Sequence, residues 1–134
     1  MPLMTPAEEL RSAAEMIRRH ATDVTAGPWK SEASVAHGHR VGTTNDTSWV
    51  AWTGEHREEN SAQDADWIAL LHPGVGLALA KLLDDCAELH EPHTCDKHEG
   101  CAPLGCQWCA DEDSPCADVR NALAVARQVL GTAA

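Results

Sequence analysis

The sequence predicts an α+β fold of three to four helices, a short antiparallel β-sheet and a zinc-stabilised loop rich in cysteine and histidine. Segments with apolar residues at helical spacing flank a stretch, residues 29–54, that is rich in β-branched and aromatic residues. Five of the six cysteines lie between residues 90 and 116. A length of 134 residues is typical of one domain, so we expect a single domain over 1–134.

The first helix is predicted within residues 1–26. Thr5 and Glu8 have the spacing of a capping box, and Pro6 stands at the first helical position, where its missing N–H is not needed. Apolar side chains then follow at helical spacing: Leu10, Ala13, Ala14, Ile17 and Ala21. The Gly27-Pro28 dipeptide is expected to stop the helix.

Residues 29–54 are predicted to form two or three short antiparallel strands. Turn signals interrupt this region at His37-Gly38-His39 and at Asn45-Asp46. Trp49 and Trp52 are separated by an odd number of positions, so they cannot share a face of one regular strand. We therefore expect one indole to pack on the helices and the other to face outward or to follow a bulge.

Residues 61–90 are predicted to form two helices after a polar loop at 55–63. Ser61 and Asp64 mark the start of the first helix, and His72-Pro73-Gly74 separates it from the second. The predicted apolar face of the first helix contains Ala65, Trp67, Ile68 and Leu71. The second helix begins near Val75, and its predicted apolar stripe contains Val75, Leu79, Leu82, Leu83, Cys86 and His90.

The last helix is predicted over 115–131. Ser114 is expected to be its N-cap, Pro115 its first residue and Gly131 its C-terminal stop. One face of this helix is apolar: Cys116, Val119, Leu123, Ala126 and Leu130.

Residues 91–116 form the predicted metal-binding loop. Together with the end of the preceding helix, the loop offers eight candidate ligands: His90, His93, Cys95, His98, Cys101, Cys106, Cys109 and Cys116. The two-residue gap between Cys106 and Cys109 allows a tight turn to direct both sulfurs at one ion. Cys116 follows at the start of a helix, where backbone N–H groups and the helix dipole favour a thiolate. This ligand chemistry predicts Zn²⁺ as the cofactor.

A tetrahedral zinc site needs a fourth ligand, and two choices remain open. His90 ends one helix and Cys116 begins the next, so the two residues meet if these helices pack antiparallel. This choice gives the ligand set His90, Cys106, Cys109 and Cys116, which joins two helices. The alternative is an all-cysteine site that takes Cys101 as the fourth ligand. Candidates for a second ion are Cys95, His93 and His98.

The composition bears on location and partners. A formal net charge of −11 repels phosphate backbones and anionic membrane surfaces. No apolar run approaches the roughly 18–20 residues needed to cross a bilayer, and residues 1–6 lack the layout of a signal peptide. We therefore expect a cytoplasmic protein for which binding to membranes and to nucleic acid is disfavoured, with cysteines used as metal ligands or buried thiols before disulfides.

The sequence contains no Gly-rich phosphate loop, Ser nucleophile elbow or pair of catalytic carboxylates. We expect a non-enzymatic interaction or regulatory protein with a protein partner. A zinc-ribbon-like nucleic-acid binder is the first rival, and the net charge disfavours it. A metal-dependent hydrolase is the second rival, which needs an open coordination position beside a carboxylate such as Glu91 or Asp111.

Several segments together define the layout of the chain. They are Ala-Gly-Pro-Trp-Lys at 26–30, Asp-Ala-Asp-Trp-Ile-Ala-Leu-Leu-His-Pro-Gly at 64–74, the Cys106–Cys109 pair and Ser-Pro-Cys-Ala-Asp-Val-Arg at 114–120. In this layout the chain resembles small proteins of actinobacteria and their phages, and in outline the Ead-like proteins of phage early regions. The resemblance implies a mobile-element or accessory gene with a cysteine-bearing tail, and no particular activity. The additional Cys and His of residues 93–101 depart from the simpler tail.

Overall fold

The computed structural model of the protein describes residues 4–44, 48–90 and 116–132. In chain order, the elements within these residues are α1 (Pro6–Thr22), β1 (Trp29–Ser34), β2 (Gly38–Thr43), β3 (Trp49–Gly54), α2 (Ser61–Leu70), α3 (Pro73–His90) and α4 (Ala117–Leu130). The strands form one antiparallel sheet in the order β1-β2-β3. The predicted α+β class with three to four helices and a short antiparallel sheet is confirmed, since the described residues form four helices and three strands.

The described residues form two compact units, each with its own apolar core. The first unit takes its described residues from Met1–Arg18 and Leu79–Ala134, and it therefore contains most of α1, the C-terminal part of α3, and α4. The second unit is Arg19–Ala78, which contains the sheet and α2.

Helix α1 begins with the predicted capping box. The Thr5 backbone N–H donates to Glu8 Oε2 at 2.9 Å, and the Glu8 backbone N–H donates to Thr5 Oγ1 at 3.2 Å. Two N–H groups that lack helical partners are thereby satisfied. The helix ends at Thr22, whose hydroxyl donates to the Arg19 carbonyl at 3.1 Å.

The core of the first unit is made mainly of alanine and leucine side chains from three helices. Its buried members are Leu10, Ala13, Ala14, Ala80, Leu83, Ala87, Val119, Leu123 and Ala126. The predicted apolar faces of α1 and α4 are confirmed by these residues. The predicted stripe of α3 is wrong in part, because Leu82 is 63% exposed whereas Leu83 is 1% exposed. Alanines at 80 and 87 supply the buried face instead, since small side chains let helices approach closely.

Helix α4 starts at a different residue from the predicted one but stops at the predicted glycine. Helix α4 begins at Ala117, and Cys116 rather than Ser114 is its N-cap, with extended backbone angles and a carbonyl that accepts the Arg120 N–H at 2.9 Å. Residues 114–115 lie outside the described residues. Gly131 ends the helix as predicted, with a φ of 72°. The Thr132 N–H donates to the Arg127 carbonyl at 2.9 Å, which completes a Schellman motif.

The core of the second unit lies between the sheet and α2, where Val41 is buried with Ala65 and Ala69. The predicted face of α2 is therefore correct at Ala65 and wrong at Trp67, which is 62% exposed. Leu71 is also exposed and follows the last helical residue. The buried side of α2 follows the i, i+4 spacing of small residues, which hydrophobicity alone does not reveal.

The predicted break between α2 and α3 is confirmed. Helix α2 ends at Leu70, and α3 begins at Pro73, two residues before the predicted start. His72 caps α3, because its Nδ1 accepts the Gly74 N–H at 3.1 Å and its carbonyl accepts the Gly76 N–H at 3.2 Å. None of the described helices is by itself long and apolar enough to cross a membrane. Helices α2 and α3 taken together, with a 52° bend between them, reach that threshold by length and composition.

Candidate metal centre

The end of α3 and the start of α4 meet at a histidine and a cysteine. His90 is the last residue of α3, and Cys116 directly precedes α4. His90 Nδ1 lies 3.3 Å from Cys116 Sγ, and both side chains are half-buried. The predicted approach of these two helix ends is therefore confirmed.

A carboxylate completes the group. Asp118 stands in the first turn of α4, two residues after Cys116, and its side chain is exposed. One ligand atom from each of His90, Cys116 and Asp118 lies within 4.8 Å of the others. This group can hold a metal ion, because nitrogen, sulfur and oxygen ligands converge on one position.

The spacing of the ligand atoms fits a tetrahedral ion. In such a site the metal lies about 2.3 Å from a thiolate sulfur and about 2.0 Å from an imidazole nitrogen, so sulfur and nitrogen are about 3.6 Å apart. The observed separation of 3.3 Å between Cys116 Sγ and His90 Nδ1 is slightly shorter. An ion is accommodated by an opening of a few tenths of an ångström.

The two helix ends also provide suitable electrostatics. The positive end of the α4 dipole lies at Cys116 and Asp118, where it favours a thiolate and a carboxylate. The negative end of the α3 dipole lies at His90, where it favours a positive charge.

An apolar groove adjoins the group within the first unit. It has a volume of about 400 Å³ and is lined by side chains of α3 and α4, among them Leu79, Leu82, Leu89 and Val125. Cys86, one helical turn before His90, points into the same region, with its Sγ 4.0 Å from the Asp118 carbonyl oxygen.

The predicted ligands fall into two sets. His90 and Cys116 are described, and the structure brings them together. The other candidates lie outside the described residues and stay predictions: His93, Cys95, His98, Cys101, Cys106 and Cys109. Glu91 and Asp111, named for a hydrolase, also lie outside them. Asp118 was not among the predicted ligands, although a Cys-x-Asp pattern at a helix start places both side chains near the same N-terminus.

No family model, curated protein or solved structure matches this chain. Fold alone does not establish function, so the chemistry of the side chains carries the functional proposal. The resemblance to actinobacterial and phage proteins stays a prediction.

Proposed function

We propose that the protein is a small zinc-binding, non-enzymatic protein in which a structural Zn²⁺ joins the end of α3 to the start of α4. The observation that carries this proposal is the 3.3 Å separation of His90 Nδ1 and Cys116 Sγ. Imidazole and thiolate together select zinc over the hard cations Mg²⁺ and Ca²⁺, which prefer oxygen ligands.

The proposed ligand set is His90, Cys106, Cys109 and Cys116. The contact between His90 and Cys116 supports His90 over Cys101 as the fourth ligand, since His90 already stands at ligand distance. Asp118 then lies beside the ion as an outer carboxylate. Four protein ligands close the coordination sphere, which is the arrangement of structural rather than catalytic zinc.

A structural ion suits the composition of this core. Five of the nine buried residues in the described part of the first unit are alanines, which bury little apolar area. A structural zinc contributes folding free energy on the order of 10 kcal/mol, so it can compensate for a thin core. The metal would thus stabilise the fold instead of performing chemistry.

The proposed role is interaction with a protein partner, in the regulatory manner of small mobile-element proteins. Support comes from Leu82 and Leu89, which are 63% and 69% exposed beside the apolar groove of the first unit. Exposed apolar surface of this kind is typical of protein contact sites. The net charge of −11 favours a basic partner.

A metal-dependent hydrolase is the second candidate, and Asp118 is the observation that favours it. If His90, Cys116 and Asp118 are the ligands, one tetrahedral position remains for water. Three protein ligands with one water is the usual composition of catalytic zinc. The two candidates therefore differ in how many thiolates bind the ion.

Metal analysis of the chain purified without a metal-affinity tag tests the proposal. We expect about one zinc per chain in the wild type, and strong loss of zinc in His90→Ala and Cys116→Ser. His20→Ala, at an exposed position of α1, and Cys86→Ser, outside the ligand group, are the matched controls and should retain zinc. Zinc content unchanged by both ligand substitutions would contradict the proposal.

Cobalt substitution distinguishes the two candidates. A closed site with three thiolates predicts intense sulfur-to-cobalt charge-transfer absorption that added azide leaves unchanged. Asp118→Asn should keep both the metal and this spectrum. Loss of metal in Asp118→Asn, together with a spectrum that azide perturbs, would favour the hydrolase.

A further inference from the structure

The second unit presents two tryptophans on the sheet face opposite α2. Val41 pairs with Ala51 and is buried against α2, so their neighbours in the ladder point the other way. Arg40 pairs with Trp52, and Gly42 pairs with Trp49. The register shift between positions 41 and 42 leaves one extra residue on β3, so Trp49 and Trp52 share a face despite their odd spacing.

These indoles border a groove of about 560 Å³. Its other walls are the turn that joins β1 to β2 and the segment Glu55–Arg57 that follows β3. Trp49 is 45% exposed and Trp52 is 52% exposed, so each offers about half of its surface to a ligand. Large apolar side chains exposed together in a concave site are typical of ligand recognition.

Both rings are held in place although they are exposed. The Trp52 Nε1–H donates to the His37 carbonyl oxygen. The Arg40 guanidinium lies 4.3 Å from the centroid of a Trp49 ring, and the His37 ring packs edge-on against Trp49 at a centroid distance of 5.7 Å. A binding surface that is already ordered avoids part of the entropy cost of association.

The charges at this surface are paired. Arg40 Nε donates to Glu32 Oε1 at 2.7 Å, and Arg57 Nε lies 3.8 Å from Glu55 Oε2. Glu32 is shared with Lys30, whose Nζ lies 3.8 Å from Glu32 Oε2. Among the groove's lining residues, the carboxylate of Glu55 and the guanidinium of Arg57 oppose each other, which suits an uncharged ligand. A nucleic acid would in addition be repelled by the net charge of −11.

A peptide is a poorer match than a small neutral ring. The Trp52 N–H already binds the chain's own backbone, so it is not available to a peptide carbonyl. The two register irregularities in the β2–β3 pairing also make β3 a poor template for an added peptide strand. The faces of the two indole rings and the polar side chains at the groove rim remain accessible to a ligand.

We propose that this groove binds a neutral β-linked saccharide of glucose or N-acetylglucosamine units. The axial C–H groups of such pyranose rings make a flat apolar face that packs on an indole. Sugar hydroxyls both donate and accept hydrogen bonds, and the rim supplies an acceptor in Glu55 and a donor in Arg57. The inference uses contacts within Arg19–Ala78 only, so it does not depend on the zinc proposal.

Calorimetric titration of the full chain with cellohexaose and with chitohexaose tests this inference. We expect binding of at least one of them, weakened by about tenfold or more in Trp49→Ala and in Trp52→Ala because each removes a stacking surface. Trp67→Ala is the matched control, since Trp67 is 62% exposed on α2 and lies outside the groove. It should bind as the wild type does.

Glu55→Ala tests the same site without the risk that loss of a tryptophan unfolds the protein. Glu55 is exposed, and its substitution by Ala removes a hydrogen-bond acceptor without opening the core. We expect Glu55→Ala to stay folded by circular dichroism and to bind the oligosaccharide several-fold more weakly. Absence of binding to both hexasaccharides at millimolar concentration would overturn the inference. Binding of a proline decamer or of oligo-dT in their place, lost in Trp49→Ala, would also overturn it.

Discussion

Gly38 and Gly131 have similar backbone angles in different surroundings. Their φ values are 85° and 72°, in the region that L side chains rarely adopt. A Cβ at Gly38 would lie 2.2 Å from the Gly54 carbonyl oxygen, whereas a Cβ at Gly131 would meet nothing within 4 Å. Position 38 therefore requires glycine for two reasons and position 131 for one.

Because of this difference, we expect substitution by alanine to cost less stability at Gly131 than at Gly38. Gly131→Ala should lower the free energy of unfolding by about 1 kcal/mol, the cost of the left-handed conformation alone. Gly38→Ala should lower it by about 3 kcal/mol or more, because overlap with the β3 backbone is added. Urea denaturation followed by circular dichroism measures both. Equal costs for the two variants would show that the close approach at Gly38 is not present.

The capping box of α1 gives a second test at single residues. Thr5→Ala removes the acceptor of the Glu8 N–H and should cost about 1 kcal/mol of stability. Ser12→Ala, in the interior of the same helix, is the control and should be neutral or slightly stabilising. A Thr5→Ala variant as stable as the wild type in urea would count against the cap.

Residue chemistry was predictable where it is local. The capping box of α1 and the glycine stop of α4 follow from local spacing. The meeting of His90 with Cys116 follows from antiparallel packing of the helices that they end and begin. The N-cap role of Cys116 was not predicted, because Ser114 and Pro115 form a stronger start signal in the sequence. Asp118 was missed because an acidic residue in a first helical turn is ordinary.

Among the elements, α3 shows where hydrophobic periodicity is misleading. Leucines dominate the predicted stripe, yet the buried face is Ala80, Leu83 and Ala87. Alanine adds little to a hydrophobic pattern, although it allows close packing between helices. Leu82 and Leu89 are left exposed beside the apolar groove.

We therefore expect Leu82 and Leu83, which are adjacent on α3, to differ in how much stability is lost when each is replaced by alanine. Leu83→Ala should cost about 2–5 kcal/mol, because the side chain is 1% exposed and its removal leaves a cavity. Leu82→Ala should cost about 0.5 kcal/mol or less, since Leu82 is largely exposed. Thermal unfolding of the two variants measures these losses of stability. A larger loss in Leu82→Ala would mean that the helix is rotated from its described orientation.

The sheet was predictable in kind but not in detail. Two or three strands and the turn at Gly38 were predicted from β-branched residues and turn signals, and the structure has three strands. From the odd spacing of Trp49 and Trp52 we predicted that one indole packs on the helices while the other faces outward or follows a bulge. The first part is wrong, because Trp49 is 45% exposed and Trp52 is 52% exposed. The pairing contains the bulge, so both indoles face outward. No local signal in β3 distinguishes these outcomes, because the bulge depends on the partner strand.

At the scale of the whole molecule, two small cores replace one large one. Alanine-rich packing holds the first unit, and a three-residue cluster of Val41, Ala65 and Ala69 holds the second. Within residues 4–44, 48–90 and 116–132, neither core buries much apolar area, so a metal ion would be a major stabilising contribution to the first. The α+β class was predictable because the periodicities of helix and strand alternate clearly along the chain.

The rival nucleic-acid function is also tested on the whole molecule. The net charge of −11 predicts no measurable affinity for duplex DNA at low salt, where phosphate contacts are strongest. Fluorescence anisotropy with a labelled 20-base-pair duplex measures this. Binding that weakens steeply as salt is added would instead favour the zinc-ribbon-like function.

The central claim is that zinc joins His90 at the end of α3 to Cys116 at the start of α4. X-ray absorption at the zinc edge of the purified full chain measures the ligand shell directly. The proposed site predicts sulfur scatterers at about 2.3 Å and one imidazole nitrogen at about 2.0 Å. In His90→Ala most of the zinc should be lost, and the zinc that remains should show no imidazole scattering. A chain without zinc, or a zinc shell of oxygen and nitrogen alone, would contradict the claim.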